Sequence, residues 1–270
     1  PYHGISAGKL RRYLSLKNLS DMFRVVGGLR QSVSLMRKIQ PRVVFSKGGF
    51  VSCPVVWAAW LCRIPVVIHE SDITPGLTNK LSMPFAKRVC YTFPESEKHI
   101  PQKKGVLTGI PIRKALLEGN RATGRMICGF EDTKPVLLVI GGSQGAVRIN
   151  EAVRKSLSRL VKDFNICHIC GKGNVDEQYQ SVRGYKQFEY IRDELSHLFA
   201  LSDIIISRAG ATTIFELLAL KKPNLLIPLS KQASRGDQIL NAESFRKQGF
   251  SMVLPEEELN PDTMVDRVKT

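Results

Sequence analysis

Ile204-Ile-Ile-Ser-Arg-Ala-Gly-Ala-Thr-Thr-Ile-Phe-Glu-Leu-Leu-Ala-Leu220 passes from a β-branched run, through a turn at Gly210, into a helical pattern. A buried strand that stops at a glycine and opens a helix aims backbone N–H groups beyond the strand end, where an anion is favoured. Glu216 lies one turn past Thr213 and can accept hydrogen bonds from nearby hydroxyls. An anion joined to vicinal hydroxyls is what a nucleoside diphosphate presents. Thr213-x-x-Glu216 also fits a capping box, which serves only the helix's own orphan donors. On this stretch alone both readings stand.

The same strand-to-helix unit recurs on either side. Pro135-Val-Leu-Leu-Val-Ile140 is a near-continuous apolar strand of the kind buried on both faces. It runs into Gly141-Gly-Ser-Gln-Gly145 and a helix over 146–160. The glycines let a phosphate approach the backbone, and Ser143 either adds a hydroxyl or caps the helix. This loop is neither a GxGxxG fingerprint nor a Walker loop. Strands are expected at 166–170, 188–191, 224–229 and 250–254, with helices over 195–201 and from the 230–238 loop to Arg246, then an acidic helix start.

Upstream, apolar positions spaced by three and four predict an amphipathic helix over 18–40 with a basic opposite face, stopped by Pro41. Strands at 42–46, 65–70, 88–93 and 106–108 alternate with helices at 51–62 and 77–86, and the polar stretch 118–123 reads as a linker. Lys47-Gly-Gly49 is a second glycine turn, and His69-Glu70 ends a strand, either as acid/base chemistry or as ordinary strand-end polarity. This alternation predicts parallel sheets with right-handed crossovers. The fold expected is α/β: two Rossmann-like, doubly wound parallel-sheet domains, 1–117 and 118–270, facing across a cleft with sites along their carboxyl edges.

Composition narrows the partners. A chain of 270 residues, 43% hydrophobic and 24% charged, is globular, and no run reaches the length of a membrane span. The six cysteines lack a second pair to complete Cys167-x-x-Cys170 as a zinc site, so buried reduced thiols and a cytosolic compartment are expected. With a net charge of +16, an anionic partner is expected. Basic residues 9, 11, 12, 17, 24, 30, 37, 38, 42 and 47 face a single acid, Asp21. With 7% aromatics and no nucleic-acid motif, the anionic inner leaflet of a membrane fits this face better than nucleic acid.

Five motifs in register extend the reading: Ser46-Lys-Gly-Gly-Phe-Val-Ser52, His69-Glu-Ser-Asp-Ile-Thr-Pro-Gly-Leu-Thr-Asn79, Gly141-Gly-Ser-Gln-Gly-Ala146, Ser207-Arg-Ala-Gly-Ala211 with Glu216, and Asp237-Gln-Ile-Leu-Asn-Ala242. Together they closely resemble the MurG family of peptidoglycan N-acetylglucosaminyltransferases, GT-B enzymes of glycosyltransferase family 28. The resemblance implies inverting transfer of N-acetylglucosamine from UDP-N-acetylglucosamine to the 4-hydroxyl of lipid I, giving lipid II. It implies no cofactor and no required metal. Arg113, Ser143, Gln144 and Asn150 match positions near the diphosphate, and Ile191 the backbone contact to uracil. Arg208 belongs to the matched loop, Ala211, Thr212 and Thr213 to the helix start under the phosphates, Glu216 to the ribose, and Gln238 with Asn241 to the sugar hydroxyls. On the acceptor side stand Gly48, Gly49, Asp72 and Asn79; the catalytic residue is left open, with Glu70 and Asp72 as candidates.

The partners implied are UDP-N-acetylglucosamine, lipid I, anionic lipids of the inner leaflet, and proteins of cell-wall synthesis and division, at the cytoplasmic face of the membrane. Nucleic acid is not expected. Two departures matter. Asp72 stands where many members have Asn, and the family's first glycine-rich loop, with its final helices, has no counterpart in these 270 residues. A chain truncated in this way is expected to be inactive alone. The rival readings are a diacylglycerol glycolipid transferase of the same fold and a non-catalytic sugar-nucleotide-binding fragment.

Overall fold

The computed structural model describes residues 1–6, 17–142 and 146–270, with side chains in the first helix from Arg24 onward. The chain divides into two compact units, Pro1–Ile110 and Pro111–Thr270.

The first unit opens with α1 (Lys17–Ile39), which ends ahead of Pro41. There follow β1 (Val44–Ser46), α2 (Ser52–Leu61), β2 (Val66–Glu70), α3 (Leu77–Ser82), β3 (Arg88–Tyr91) and β4 (Gly105–Leu107). The strands lie in the order β1-β2-β3-β4, all parallel. Pro54 sits in the first turn of α2, where its missing N–H is not needed. Pro84 has the opposite effect. The helix expected through residue 86 stops at Ser82, and Met83–Phe85 tighten into a 3₁₀ turn, because Pro84 cannot donate to the helical ladder. Val56, Ile68 and Val89 are wholly buried between the sheet and its helices.

The second unit carries α4 (Arg121–Cys128), β5 (Val136–Ile140), α5 (Val147–Asp163), β6 (Asn165–Ile169), β7 (Tyr185–Phe188), α6 (Leu195–Leu201), β8 (Ile204–Ser207), α7 (Ala211–Ala219), β9 (Asn224–Leu226), α8 (Asp237–Lys247), β10 (Met252–Val253) and α9 (Pro261–Lys269). Four sequence expectations are corrected here. The 118–123 stretch is no irregular linker: Asn120 Oδ1 accepts from the Thr123 N–H at 2.9 Å and starts α4. That helix packs on α6 so closely that a Cβ at Gly124 would stand 2.3 Å from the carbonyl oxygen of His197. The strand expected at 188–191 lies at Tyr185–Phe188, leaving Ile191 in the irregular stretch that follows. The strand expected at 224–229 ends at Leu226, two residues before Pro228. The acidic 256–258 run forms a 3₁₀ turn, and the last helix starts instead at Asn260, whose side chain caps it reciprocally with Thr263.

All six strands are parallel, in the order β10-β9-β8-β5-β6-β7. Val136, Leu137, Leu138 and Val139 of β5 have no exposed surface, as a strand covered on both faces requires. Strand order reverses between β5 and β8. In open α/β sheets the crevice outside the carboxyl ends at such a reversal is where ligands bind.

Candidate functional site

At that reversal lies a cavity of about 350 Å³ lined by Gly141 and Gly142 after β5, Ser207, Arg208 and Gly210 after β8, Thr213 and Glu216 on α7, and Gln238 on α8. Gly210 is the N-cap of α7, and among the described residues no side chain caps this helix. Thr213 lies inside the first turn, so the capping-box reading is overturned: the cap position belongs to a residue with no side chain. The first N–H groups of α7 therefore lack an intrahelical acceptor and carry the positive end of its dipole. Glu216, freed from capping, meets Arg113, whose Nη2 donates to Oε1 at 3.4 Å. Burial raises the Glu216 carboxyl above its ordinary pKa, and the Arg113 guanidinium offsets part of the rise.

Arg208 is buried and spends its guanidinium on the protein. Nη1 donates to the Ile227 carbonyl at 3.1 Å and Nη2 to Glu256 Oε1 at 2.6 Å. Glu256 Oε2 accepts from the Ser230 N–H at 3.2 Å and lies 3.8 Å from Arg148 Nη1. Burial pushes the Glu256 carboxyl up, but the Arg208 bond, the Ser230 N–H and Arg148 together hold it below the usual carboxylate range. Glu256 thus joins three edges of the site: the β8–α7 turn, the 230–238 loop and the start of α5. Sequence reading missed it, because nothing local separates Glu256 from its acidic neighbours.

Gln238 Oε1 accepts from the Leu229 N–H at 3.1 Å, and the buried Asn241 donates to the Ala209 carbonyl at 3.3 Å. Asn150 lies behind the site, not on the cavity wall. Its Nδ2 donates to the Cys170 carbonyl at 2.9 Å, and its Oδ1, which can only accept, takes the Nε2–H of His168 at 3.0 Å. His168 Nδ1 then accepts from the Tyr185 hydroxyl at 2.8 Å. Burial, helped by Arg154, lowers the His168 pKa to about 3, so the ring is neutral. Ala211 is buried at the start of α7, Thr212 is exposed there, and Ile191 is half-buried after β7. Ser143 and Gln144 lie outside the described residues. The helix after them begins at Val147 with Ala146 as its N-cap.

In the first unit the carboxyl edge of β2 is organised by Glu70. Its Oε1 accepts from the Asp72 N–H at 3.1 Å, and its Oε2 from the Gly76 N–H at 3.2 Å and Asn79 Nδ2 at 2.7 Å. Three N–H donors therefore fill the Glu70 carboxylate, which is 4% exposed, while Asp72 is half-buried. Gly48 and Gly49 adopt φ of +85° and +86°, and Gly48 packs on Asn79. His69 donates from Nε2 to the Gly109 carbonyl at 2.9 Å and turns Nδ1 toward Lys47 Nζ at 3.5 Å. Burial chiefly, then Lys47, holds the His69 pKa below the ordinary imidazole value, although its bond to Gly109 opposes the shift. Cys167 and Cys170 are free, buried thiols, and burial pushes Cys170 up to about 11. Among the described residues no group of three His, Cys, Asp or Glu side chains is placed to hold a metal, and no helix is long and apolar enough to cross a membrane.

Two parallel α/β units, the second with its strand reversal at a helix start, give the GT-B fold of glycosyltransferases such as MurG. The chain belongs to glycosyltransferase family 28, whose C-terminal domain matches residues 136–270 and whose N-terminal domain matches residues 1–91. It is 61% identical over 269 residues to the UDP-N-acetylglucosamine–N-acetylmuramyl-(pentapeptide) pyrophosphoryl-undecaprenol N-acetylglucosamine transferase of Lachnospira eligens, covering 100% of this chain and 76% of that protein. The enzyme of the same name from Clostridium kluyveri is 59% identical over 268 residues, with 99% and 76% covered. Among solved structures, MurG of Acinetobacter baumannii superposes with a TM-score of 0.71 at 25% identity, over 92% of this chain and 70% of that one. UDP-GlcNAc 2-epimerase of Neisseria meningitidis, bound to UDP-GlcNAc, shares the fold at a TM-score of 0.65 and 16% identity, over 96% of this chain and 76% of that one.

Proposed function

We propose that this chain carries the donor site and part of the acceptor site of an inverting transferase that moves N-acetylglucosamine from UDP-N-acetylglucosamine to lipid I, giving lipid II. One observation carries the reading: Glu216, held by Arg113, and the uncapped start of α7 line one cavity at the strand reversal. Its support from outside the site is the identity of about 60% to named transferases along the whole chain.

The chemistry follows from that geometry. Phosphates at the start of α7 would meet N–H groups that have no intrahelical acceptor, and the dipole, which favour the charge that grows on the departing diphosphate. Arg113 adds a guanidinium, so the leaving group is stabilised without a required metal, and chelation should leave activity unchanged. Glu216 accepts from the ribose hydroxyls. On the acceptor side, the N–H donors that fill Glu70 suit it to holding the 70–79 loop. The basic residues between 9 and 47 would seat the enzyme against anionic lipid at the cytoplasmic face of the membrane.

The test has two arms. UDP-N-acetylglucosamine should bind the 270-residue chain and lose affinity in Glu216→Ala and Arg113→Ala. Radiolabelled sugar should pass to lipid I, and not to diacylglycerol, with the gene product that carries this sequence. Transfer to diacylglycerol alone would replace the acceptor, and binding indifferent to both substitutions would remove the donor site.

A further inference from the structure

Arg113 and Glu216 form an unequal pair. The Glu216 side chain is 10% exposed and that of Arg113 61%, with a single guanidinium nitrogen 3.4 Å from Oε1. Among the described residues no other hydrogen bond reaches this carboxylate. A buried charge is thus held by a partner that stands mostly in water, through one long contact, and pairs of that kind are weak. Glu216 lies six residues past Gly210, about 9 Å along the axis at the helical rise. A ligand with hydroxyls at Glu216 and phosphate at the start of α7 would span that interval. Its two ends make opposite demands on Arg113. The hydroxyls need the carboxylate that Arg113 occupies, whereas a phosphate is a better acceptor for a planar guanidinium than one distant carboxylate oxygen.

We propose that Arg113 is a latch exchanged between protein and ligand. In the empty site it sits on Glu216, and a nucleoside diphosphate draws it onto phosphate, releasing the carboxylate to the ribose. This rests on the nucleotide reading given above. A nucleoside without phosphate must displace Arg113 and offers it nothing in return. A nucleoside diphosphate supplies both halves of the exchange. Arg113 therefore selects for phosphorylated ligands at two points, by attraction to the phosphate and by obstruction of the bare nucleoside.

The two effects have opposite signs in one variant. Calorimetric titration of the 270-residue chain with UDP and with uridine should show Arg113→Ala weakening UDP about tenfold or more and tightening uridine about threefold. In a Glu216→Gln background, Arg113→Ala should no longer change uridine binding. An Arg113 that merely supports the fold would weaken both ligands when removed. If UDP binds the unaltered chain but uridine binds Arg113→Ala no better, the latch is overturned and the nucleotide site survives. If UDP fails to bind the unaltered chain, both fall together.

Discussion

Arg208 and Glu256, 48 residues apart in the chain, meet at 2.6 Å with their side chains 11% and 4% exposed. Removing one member of such a buried pair leaves the other charged and unpartnered, which costs about 3–5 kcal/mol. Glu256→Ala should lower unfolding stability by that amount, because Arg208 and the Ser230 N–H lose their acceptor together. Glu256→Gln keeps an acceptor oxygen and should cost clearly less. Urea unfolding of the two variants decides it, and equal losses would mean that the charge is irrelevant.

The buried imidazole of His168 makes a pH-dependent contribution with a definite sign. Its folded pKa is lowered to about 3 from 6.5. The stability it lends is therefore full above pH 6.5 and drains as pH falls toward the folded value, by about 3 kcal/mol at pH 4 at 1.36 kcal/mol per unit. His168→Gln should be less stable at pH 7 but lose less between pH 7 and pH 4. Parallel stability curves for both proteins over that range would refute the assignment.

Glu216 predicts the reverse trade. Its folded pKa is raised, chiefly by burial. Any stability linked to it is complete below the unfolded carboxyl value and is lost as pH rises through the folded one, so at pH 7 the charge burdens the fold. Glu216→Gln should raise thermal stability by up to about 1 kcal/mol while UDP binding weakens, the pattern of a residue kept for function. A melting temperature that falls instead would show that the Arg113 pair outweighs burial.

Gly48 and Gly49 separate two causes of strain. Both have positive φ, but only at Gly48 would a Cβ meet a neighbour, 3.0 Å from Asn79 Oδ1; at Gly49 it meets nothing within 4 Å. Alanine at either position carries a left-handed backbone penalty of about 1–2 kcal/mol. Gly48→Ala should cost more and should also loosen the 70–79 loop, since Asn79 is bonded to Glu70. Amide exchange across residues 72–79 is the readout. Equal exchange in the two variants would disconnect the glycine turn from the loop.

The parts of the fold legible in the sequence are those with a strong local pattern. The unbroken apolar run before Gly141 announced a strand buried on both faces, and the Gly210 turn announced a helix start at a sheet edge. What failed was local pattern overridden by neighbours. α4 is short and polar, and its reason to exist is the close approach of Gly124 to α6. Thr213 and Glu216 obey the spacing of a capping box, yet the chain enters α7 one turn earlier, at Gly210. The motifs carry the site's candidate residues but not the partners of each. That Asn150 and Asn241 support backbone from behind, or that Glu256 binds three edges together, depends on partners brought in by topology.

The reversal of strand order also governs the sequence of events in folding. β5 is flanked by β6 on one side and β8 on the other, and Ser207 reaches back across 67 residues to bond the carbonyl of Ile140. A chain emerging from the ribosome therefore completes β5, its most apolar strand, long before the strand that closes its second edge exists. Until β8 arrives, that edge is an open template of backbone donors and acceptors, and pairing over such separations is slow. Newly made chains should pass through a stage in which the centre of the future sheet is its most aggregation-prone edge, so yield at high expression rates should be limited by this interval and not by the stability of the finished protein.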